Sequence, residues 1–210
     1  MGCVLSAGGS LRWHRDVICG EEAAAARRQG MDPYAVMLAE AAKIPAGSEN
    51  LLFLPYLMGE RTPYPDPFVR GAFLGLSTRH GRAHMTRALL EGVVFALRDC
   101  LAAIREKDIV IREIRATGGG ARSPFWLQMM ADAFGLPVTR VENPECGASG
   151  AAILAGIGVG VHGGFAEAAH QAVRLGATAR PRKAASAVYE ACYQRYRSVY
   201  PAIEGLFPRG

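Results

Sequence analysis

Along residues 82–107 apolar side chains recur every three or four positions: Met85, Leu89, Val93, Ala96, Cys100 and Ile104. That spacing predicts a long helix with one continuous core face. Shorter apolar runs predict strands at 51–54, 71–76 and 114–117, the last running into Gly118-Gly119-Gly120, and again at 138–141. Two helix starts are marked by a capping residue followed by proline. Asp32-Pro33 opens one helix, and Ser123-Pro124 opens another that should reach Phe134. Residues 147–157 are small and apolar, which predicts a helix suited to close packing. Residues 184–207 predict a final helix whose Tyr189, Tyr193, Tyr196 and Tyr200 pack on the rest of the fold. Residues 55–70 are too polar and proline-rich for a regular element, and Asp66 and Arg70 should tie that loop down by charge-assisted hydrogen bonds. No internal repeat or low-complexity linker divides the chain, so one α/β domain over residues 1–210 is expected.

Composition narrows the function classes. Half of the 210 residues are apolar and 20% are charged, which excludes an intrinsically disordered chain. The most apolar stretch, residues 151–161, contains three glycines and falls well short of the ~20 residues of a membrane helix, so no membrane partner is expected. The net charge of +5 comes from scattered arginines, with Lys43, Lys107 and Lys183 the only lysines, and aromatic residues do not interleave with them. Nucleic acid is therefore not the expected partner, because a groove-tracking surface needs clustered charge and stacking platforms. Cys3, Cys19, Cys100, Cys146 and Cys192 form no C-x-x-C pair. They suggest neither a zinc site nor a disulfide framework, and fit a reducing cytoplasmic setting. The start, Met1-Gly2-Cys3-Val4-Leu5-Ser6, matches a loose N-myristoylation pattern, but no polybasic stretch follows, and residues 3–6 are read as a strand ending in a turn.

Two segments share one design. Residues 3–6 lead through Ala7-Gly8-Gly9 to Ser10-Leu11-Arg12-Trp13, expected to be a first helical turn. Residues 113–117 lead through Gly118-Gly119-Gly120 to the helix that Ser123 caps. A strand passing through glycines to a helix N-terminus offers unpaired N–H donors at the positive end of the helix dipole, and missing Cβ atoms let a ligand approach closely. Such junctions suit phosphates, and two of them could face one nucleotide. Neither has the Gly-Lys-Ser/Thr ending of a P-loop or the G-x-G-x-x-G dinucleotide fingerprint. A tight turn with good capping is the alternative use of each.

Acid–base candidates are His80, His84, Glu91, Asp99 and Glu145, but no nucleophile motif, H-E-x-x-H or carboxylate pair organises them. Glu91 lies one turn after Arg87 on the long helix, where a surface ion pair is the expected use. No residue is assigned as catalytic, and none as a metal ligand.

The chain resembles the FGGY family of carbohydrate kinases. GAFLGL at 71–76, a spacer, then HMTRALLE at 84–91 is similar to the family's second signature throughout. "PYLMGERTPYPDPFVRGAF", "EGVVFALRDCL", "ATGGGARSPFWLQMMADAFGLPV" and "ECGASGAAILAGIGVG" are similar to family segments in the same order, as are "SAGGSLRWHRD" and the tyrosine-rich last helix. The resemblance implies an actin-like (ribonuclease-H-like) α/β fold and transfer of the ATP γ-phosphoryl group, with Mg²⁺, to a sugar hydroxyl. It points to a pentulose, D-xylulose above others. By motif it implies nucleotide contacts from Gly8 and Arg12 at the first junction and from Gly118, Gly119, Gly120 and Ser123 at the second.

The departures bear on activity. The family's N-terminal domain supplies the sugar contacts, a phosphate loop and the aspartate that accepts the hydroxyl proton, and none has a counterpart here. The resemblance also places the first β-hairpin of the C-terminal domain before Met1. The expectation is a C-terminal nucleotide-binding domain that binds ATP or ADP, with Mg²⁺ held mainly through the phosphates and the absent domain. It would act on a pentulose only with an N-terminal kinase domain, and it is inactive by itself, because phosphoryl transfer rests on positioning and charge neutralisation. A non-catalytic nucleotide-binding remnant is the competing expectation. Without that hairpin, Val4-Leu5 is expected to be an exposed edge strand through which copies self-associate.

Overall fold

A computed structural model describes residues 2–143 and 145–208; Met1 of the myristoylation pattern lies outside them. The chain starts with helices: α1 (Ala7–Trp13), a π-helical stretch (His14–Ile18), α2 (Gly20–Arg28) and α3 (Pro33–Ala42). The Asp32 carboxylate caps α3 by accepting from Tyr34 N–H, with Pro33 in the first turn. A hairpin follows, β1 (Leu52–Leu54) antiparallel to β2 (Ala72–Leu74), with Phe53 opposite Phe73. The long helix α4 (Arg82–Arg105) lies against β1 and buries Leu89, Val93, Ala96 and Cys100, the face that the periodicity predicts.

The second half holds a three-stranded sheet. β3 (Ile114–Ala116) runs parallel to β4 (Val138–Val141), and β4 antiparallel to β5 (Leu175–Ala179). Helix α5 (Pro124–Phe134) connects β3 to β4, and α6 (Cys146–Gly158) and α7 (Phe165–Ala172) lie between β4 and β5. The last helix, α8 (Lys183–Ile203), buries Tyr189, Tyr193, Tyr196 and Tyr200 in one core with Phe95, Trp126 and Tyr56. The tyrosines are packing residues, as expected from the sequence.

The loop at 55–70 is tied down as predicted. Asp66 accepts from Phe68 N–H at 2.8 Å, Val69 N–H at 3.3 Å and Tyr200 O–H at 2.8 Å. Arg70 donates to the carbonyls of Pro67 and Val69.

Four expectations are corrected. Residues 3–6 form no strand: Cys3 N–H donates to Thr62 Oγ1 at 3.1 Å and Leu5 N–H to Glu60 Oε1 at 3.3 Å, so loop side chains take the amides a strand partner would need. No edge strand exists there to self-associate. Gly8 and Gly9 lie inside the first turn of α1 instead of before it, because the helix starts at Ala7 to seat buried Ser10 and Leu11. The pair Arg87–Glu91 is buried, with side chains 7% and 3% exposed, because α4 is covered along this side by the 47–50 turn and α8. Finally, α6 has no buried residue despite its apolar sequence. The sequence assigned no element to strand β5 or helix α7; Gly176 interrupts the strand run, and Thr178 is fixed by its hydroxyl contact with Thr139 at 2.9 Å.

Candidate functional site

The second glycine junction is the better defined. Gly118, two residues beyond β3, has φ +83°, a left-handed conformation that non-glycine residues rarely adopt, and apart from its chain neighbours no heavy atom of the described residues lies within 4 Å of where its Cβ would stand. Its backbone is thus open to a ligand. Gly119 is open as well. Gly120 serves packing, because a Cβ there would come within 2.8 Å of the Trp126 ring. A 3₁₀ turn at Gly119–Arg122 leads to Ser123, whose hydroxyl accepts Trp126 N–H at 3.2 Å and caps α5, with Pro124 at its first position.

A cleft of about 290 Å³ opens here, lined by Gly118, Arg122, Arg140, Val141 and Glu142. It sits at the carboxyl ends of the parallel strands β3 and β4, the side of an α/β sheet where ligands characteristically bind. Arg140 Nη2 meets Glu142 Oε1 at 3.1 Å, while Arg140 Nε is buried with no partner among the described residues. The start of α6 stands beside it: Thr117 Oγ1 is 3.0 Å from Cys146 Sγ. Sequence reading missed Arg122, Arg140 and Glu142. The available signal was the parallel pairing, which brings the residues after one strand beside those after the other.

Gly8 and Arg12 do not line this cleft. Both are exposed on α1, whose main packing is on α4, whereas the Gly119–Arg122 turn packs on α5 and β4. Apart from its chain neighbours and the backbone of its own helix, no heavy atom of the described residues lies within 4 Å of where a Cβ on Gly8 would stand, so its surface is open.

None of the acid–base candidates lines the cleft. His80 and His84 close local turns, their Nδ1 atoms accepting from Ser77 N–H at 3.0 Å and Gly81 N–H at 3.2 Å. Glu145 is exposed just before α6. Asp99 is 4% exposed and accepts Tyr193 O–H at 2.6 Å; burial pushes its carboxyl up to about 6, with Tyr193 and Arg197 pulling the other way. His14, buried in the π-helical stretch with Nε2 3.0 Å from Thr86 Oγ1, is pushed by burial down to about 4. The two have opposite linkage. Protonated Asp99 favours the fold fully below about pH 4, and that contribution is lost as pH rises through about 6. Neutral His14 favours the fold above its unfolded value of about 6.5, and that contribution is lost as pH falls through about 4. Asp99→Asn keeps the acceptor for Tyr193 and should raise unfolding stability at pH 8 by about 1–2 kcal/mol while leaving pH 4 unchanged. Urea denaturation at both pH values checks this; equal effects at both would contradict it.

The comparisons with known proteins bear on this arrangement. The model of the FGGY family of carbohydrate kinases, C-terminal domain, matches residues 1–159. This chain belongs to the FGGY family of carbohydrate kinases. A xylulose kinase of Bacillus subtilis (strain 168) is 35% identical over 206 residues, covering 98% of this chain and 39% of that protein. A gluconokinase of the same organism is 46% identical over 154 residues, covering 73% of this chain and 30% of its own length. Among solved structures, xylulose kinase from Rhodospirillum rubrum superposes with a TM-score of 0.83 at 34% identity, over 99% of this chain and 40% of that one. The fold is therefore the actin-like α/β fold of the FGGY C-terminal domain. The chain spans about two fifths of the length of the xylulose kinases it matches. Among the described residues no helix is long and apolar enough to cross a membrane.

Proposed function

We propose that this chain is the C-terminal, ATP-binding domain of a sugar kinase, one that transfers the ATP γ-phosphoryl group to a pentulose, D-xylulose foremost, once joined to an N-terminal kinase domain. The carrying observation is the open, left-handed Gly118 at the mouth of a cleft flanked by Arg122 and Arg140. Exposed backbone beside two guanidinium groups suits a nucleotide: the absent Cβ admits a flat or anionic group, and the arginines favour negative charge. Gly118, Gly119, Gly120 and Ser123 form this turn, with Gly120 and Ser123 shaping it from behind; Gly8 and Arg12, on α1 in the same domain, are proposed as further nucleotide contacts on the family resemblance.

When bound with Mg²⁺, the nucleotide supplies the phosphoryl group. Among the described residues no group of three or more His, Cys, Asp or Glu could hold a metal ion, and Mg²⁺ would arrive on the phosphates. The chain's own part is to bind and orient. The sugar preference rests on the xylulose kinases that match nearly the whole chain, with gluconate the competitor from the gluconokinases. Cytoplasmic residence accords with the unpaired cysteines.

Two measurements test this. Millimolar MgATP should raise the melting temperature, since a ligand at ~100 times its dissociation constant stabilises by about 2.7 kcal/mol. Gly118→Val should weaken binding about tenfold by placing a β-branched side chain at positive φ in the cleft mouth, read against that variant's own unliganded melt. No shift in the wild-type chain would overturn nucleotide binding. Assembly with an N-terminal half of an FGGY kinase should then release ADP in the presence of ATP and D-xylulose. Turnover with gluconate alone would move the substrate, and a stable assembly without turnover on either sugar would leave a non-catalytic nucleotide-binding module.

A further inference from the structure

Strand β5 pairs irregularly with β4 beside the cleft. Thr139 stands opposite Thr178 and Val141 opposite Leu175, so two steps along β4 are matched by three along β5, and a bulge falls across from Arg140. Gly176 lies in that bulge. A Cβ there would come within 2.8 Å of Glu142 Oε1 and 3.2 Å of Arg140 Nε, so the place of the missing side chain is taken by two charged groups. Glycine weakens a strand, and the close approach of other groups is one reason for it to stand there.

Arg140 and Glu142 are two positions apart on one strand run and leave its same face. Both line the cleft. Their backbone is fixed beyond the bulge, where Glu142 N–H donates to Arg174 O at 2.9 Å. Arg140 Nη2 donates to Glu142 Oε1 at 3.1 Å, which leaves Oε2 for a ligand. Charge then divides the ligand. A phosphate is drawn to Arg122 and Arg140 and repelled by Glu142, so the carboxylate suits a neutral donor on the same molecule. Ribose hydroxyls are such donors. In dinucleotide-binding α/β sheets an acidic residue following the glycine turn accepts from a ribose hydroxyl, and Glu142 follows the strand paired in parallel with the one that leads to Gly118.

We propose that Glu142 accepts a ribose hydroxyl of the bound nucleotide, and that Gly176 is a positioning residue whose missing side chain lets Arg140 hold that carboxylate at the cleft. The assignment rests on the nucleotide reading of this cleft.

Isothermal titration calorimetry of the chain with the magnesium complexes of ATP, 2′-deoxy-ATP and 3′-deoxy-ATP tests it. One deoxy nucleotide should bind about tenfold more weakly than ATP, the loss of one hydrogen bond to a charged group. Glu142→Ala should bind ATP about as weakly as the wild type binds that analogue, and should prefer none of the three. Gly176→Ala should cut the preference about threefold or more while melting, without ligand, at the wild-type temperature or above, because its methyl meets the movable ends of two side chains and alanine suits a strand better than glycine. A glycine needed for folding alone would lower the melt and leave the preference intact. Gly176→Ala added to Glu142→Ala should change the preference no further, since both act through one carboxylate. No binding of ATP would overturn the nucleotide reading and this assignment with it. ATP binding with equal affinity for all three nucleotides, a preference that survives Glu142→Ala, or a preference that Glu142→Ala removes against inosine triphosphate, which lacks the adenine amino group, and not against the deoxy nucleotides, would overturn the ribose assignment alone.

Discussion

Glu91→Ala is expected to cost about 3–5 kcal/mol of unfolding stability, the penalty for stranding one partner of a buried ion pair. Arg87 Nε donates to Glu91 Oε1 at 2.7 Å within a core formed by α4, α8 and the 47–50 turn. The same carboxylate accepts Gly47 N–H at 3.0 Å and Ser48 O–H at 2.8 Å. Those two bonds hold a turn in which Ser48, Glu49 and Asn50 all have positive φ, at 48°, 50° and 76°. Consecutive non-glycine residues in that region carry strain that surrounding contacts must over-determine. Burial pushes the Glu91 carboxyl above its ordinary range, and Arg87 with the turn's donors draws it back. Arg87 also donates to Tyr189 O–H at 2.6 Å and Ile44 O at 3.1 Å and lies over the Phe125 ring, 4.9 Å from its centroid. Glu91→Gln keeps acceptor capacity and should lose less than the alanine. The double replacement Arg87→Met with Glu91→Gln should lose less than the sum of the two single changes, because neither charge is left alone. Urea denaturation measures each; a Glu91→Ala loss below about 1 kcal/mol would show the pair is effectively solvated.

Gly92→Ala should be the second large effect, about 2 kcal/mol or more. On an exposed helix the change gains up to about 1 kcal/mol, because alanine has the higher propensity. Here α4 crosses β1 so closely that an added methyl would overlap Phe53 O and come within 3.0 Å of Phe53 C. Backbone cannot swing away as a flexible side chain can, so overlap outweighs propensity. The control is Gly20→Ala at the start of α2, where nothing but its chain neighbours and its own helix backbone lies within 4 Å of the new methyl among the described residues; it should be neutral or slightly stabilising. Thermal melts of both variants decide the point, and equal melting temperatures would count against the close crossing. A glycine within the long helix was readable from sequence, but not the strand against it.

Much of the architecture was legible in residue order. Helix α4 follows from one apolar face in three- and four-residue steps, and α3 and α5 follow from Asp-Pro and Ser-Pro starts. Capping, proline geometry and periodicity act over a few residues, so local sequence carries them. The candidate site was half legible. Gly118, Gly119 and Gly120 announce a turn open to ligand, yet only the structure separates the open Gly118 from Gly120, which makes room for Trp126. The arginines of the cleft were invisible, because Arg122 and Arg140 meet only through the parallel pairing of β3 and β4.

The errors share one cause. Residues 3–6 have a strand-like pattern, but their amides are taken by Glu60 and Thr62, more than fifty positions away. Glu91 looked like a surface residue because its nearest neighbour in sequence carries the opposite charge. It is buried because residues 47–48 and α8 close over it. Helix α6 was read as suited to close packing and has no buried residue, since apolar composition records what a surface can bury without naming what will cover it. The sequence by itself thus determined the elements with strong local signals, α3, α4 and α5, the caps of α3 and α5, and the family. The tertiary structure alone decided which side chains lose water and which glycines face open space, because those depend on contacts between segments far apart in the chain.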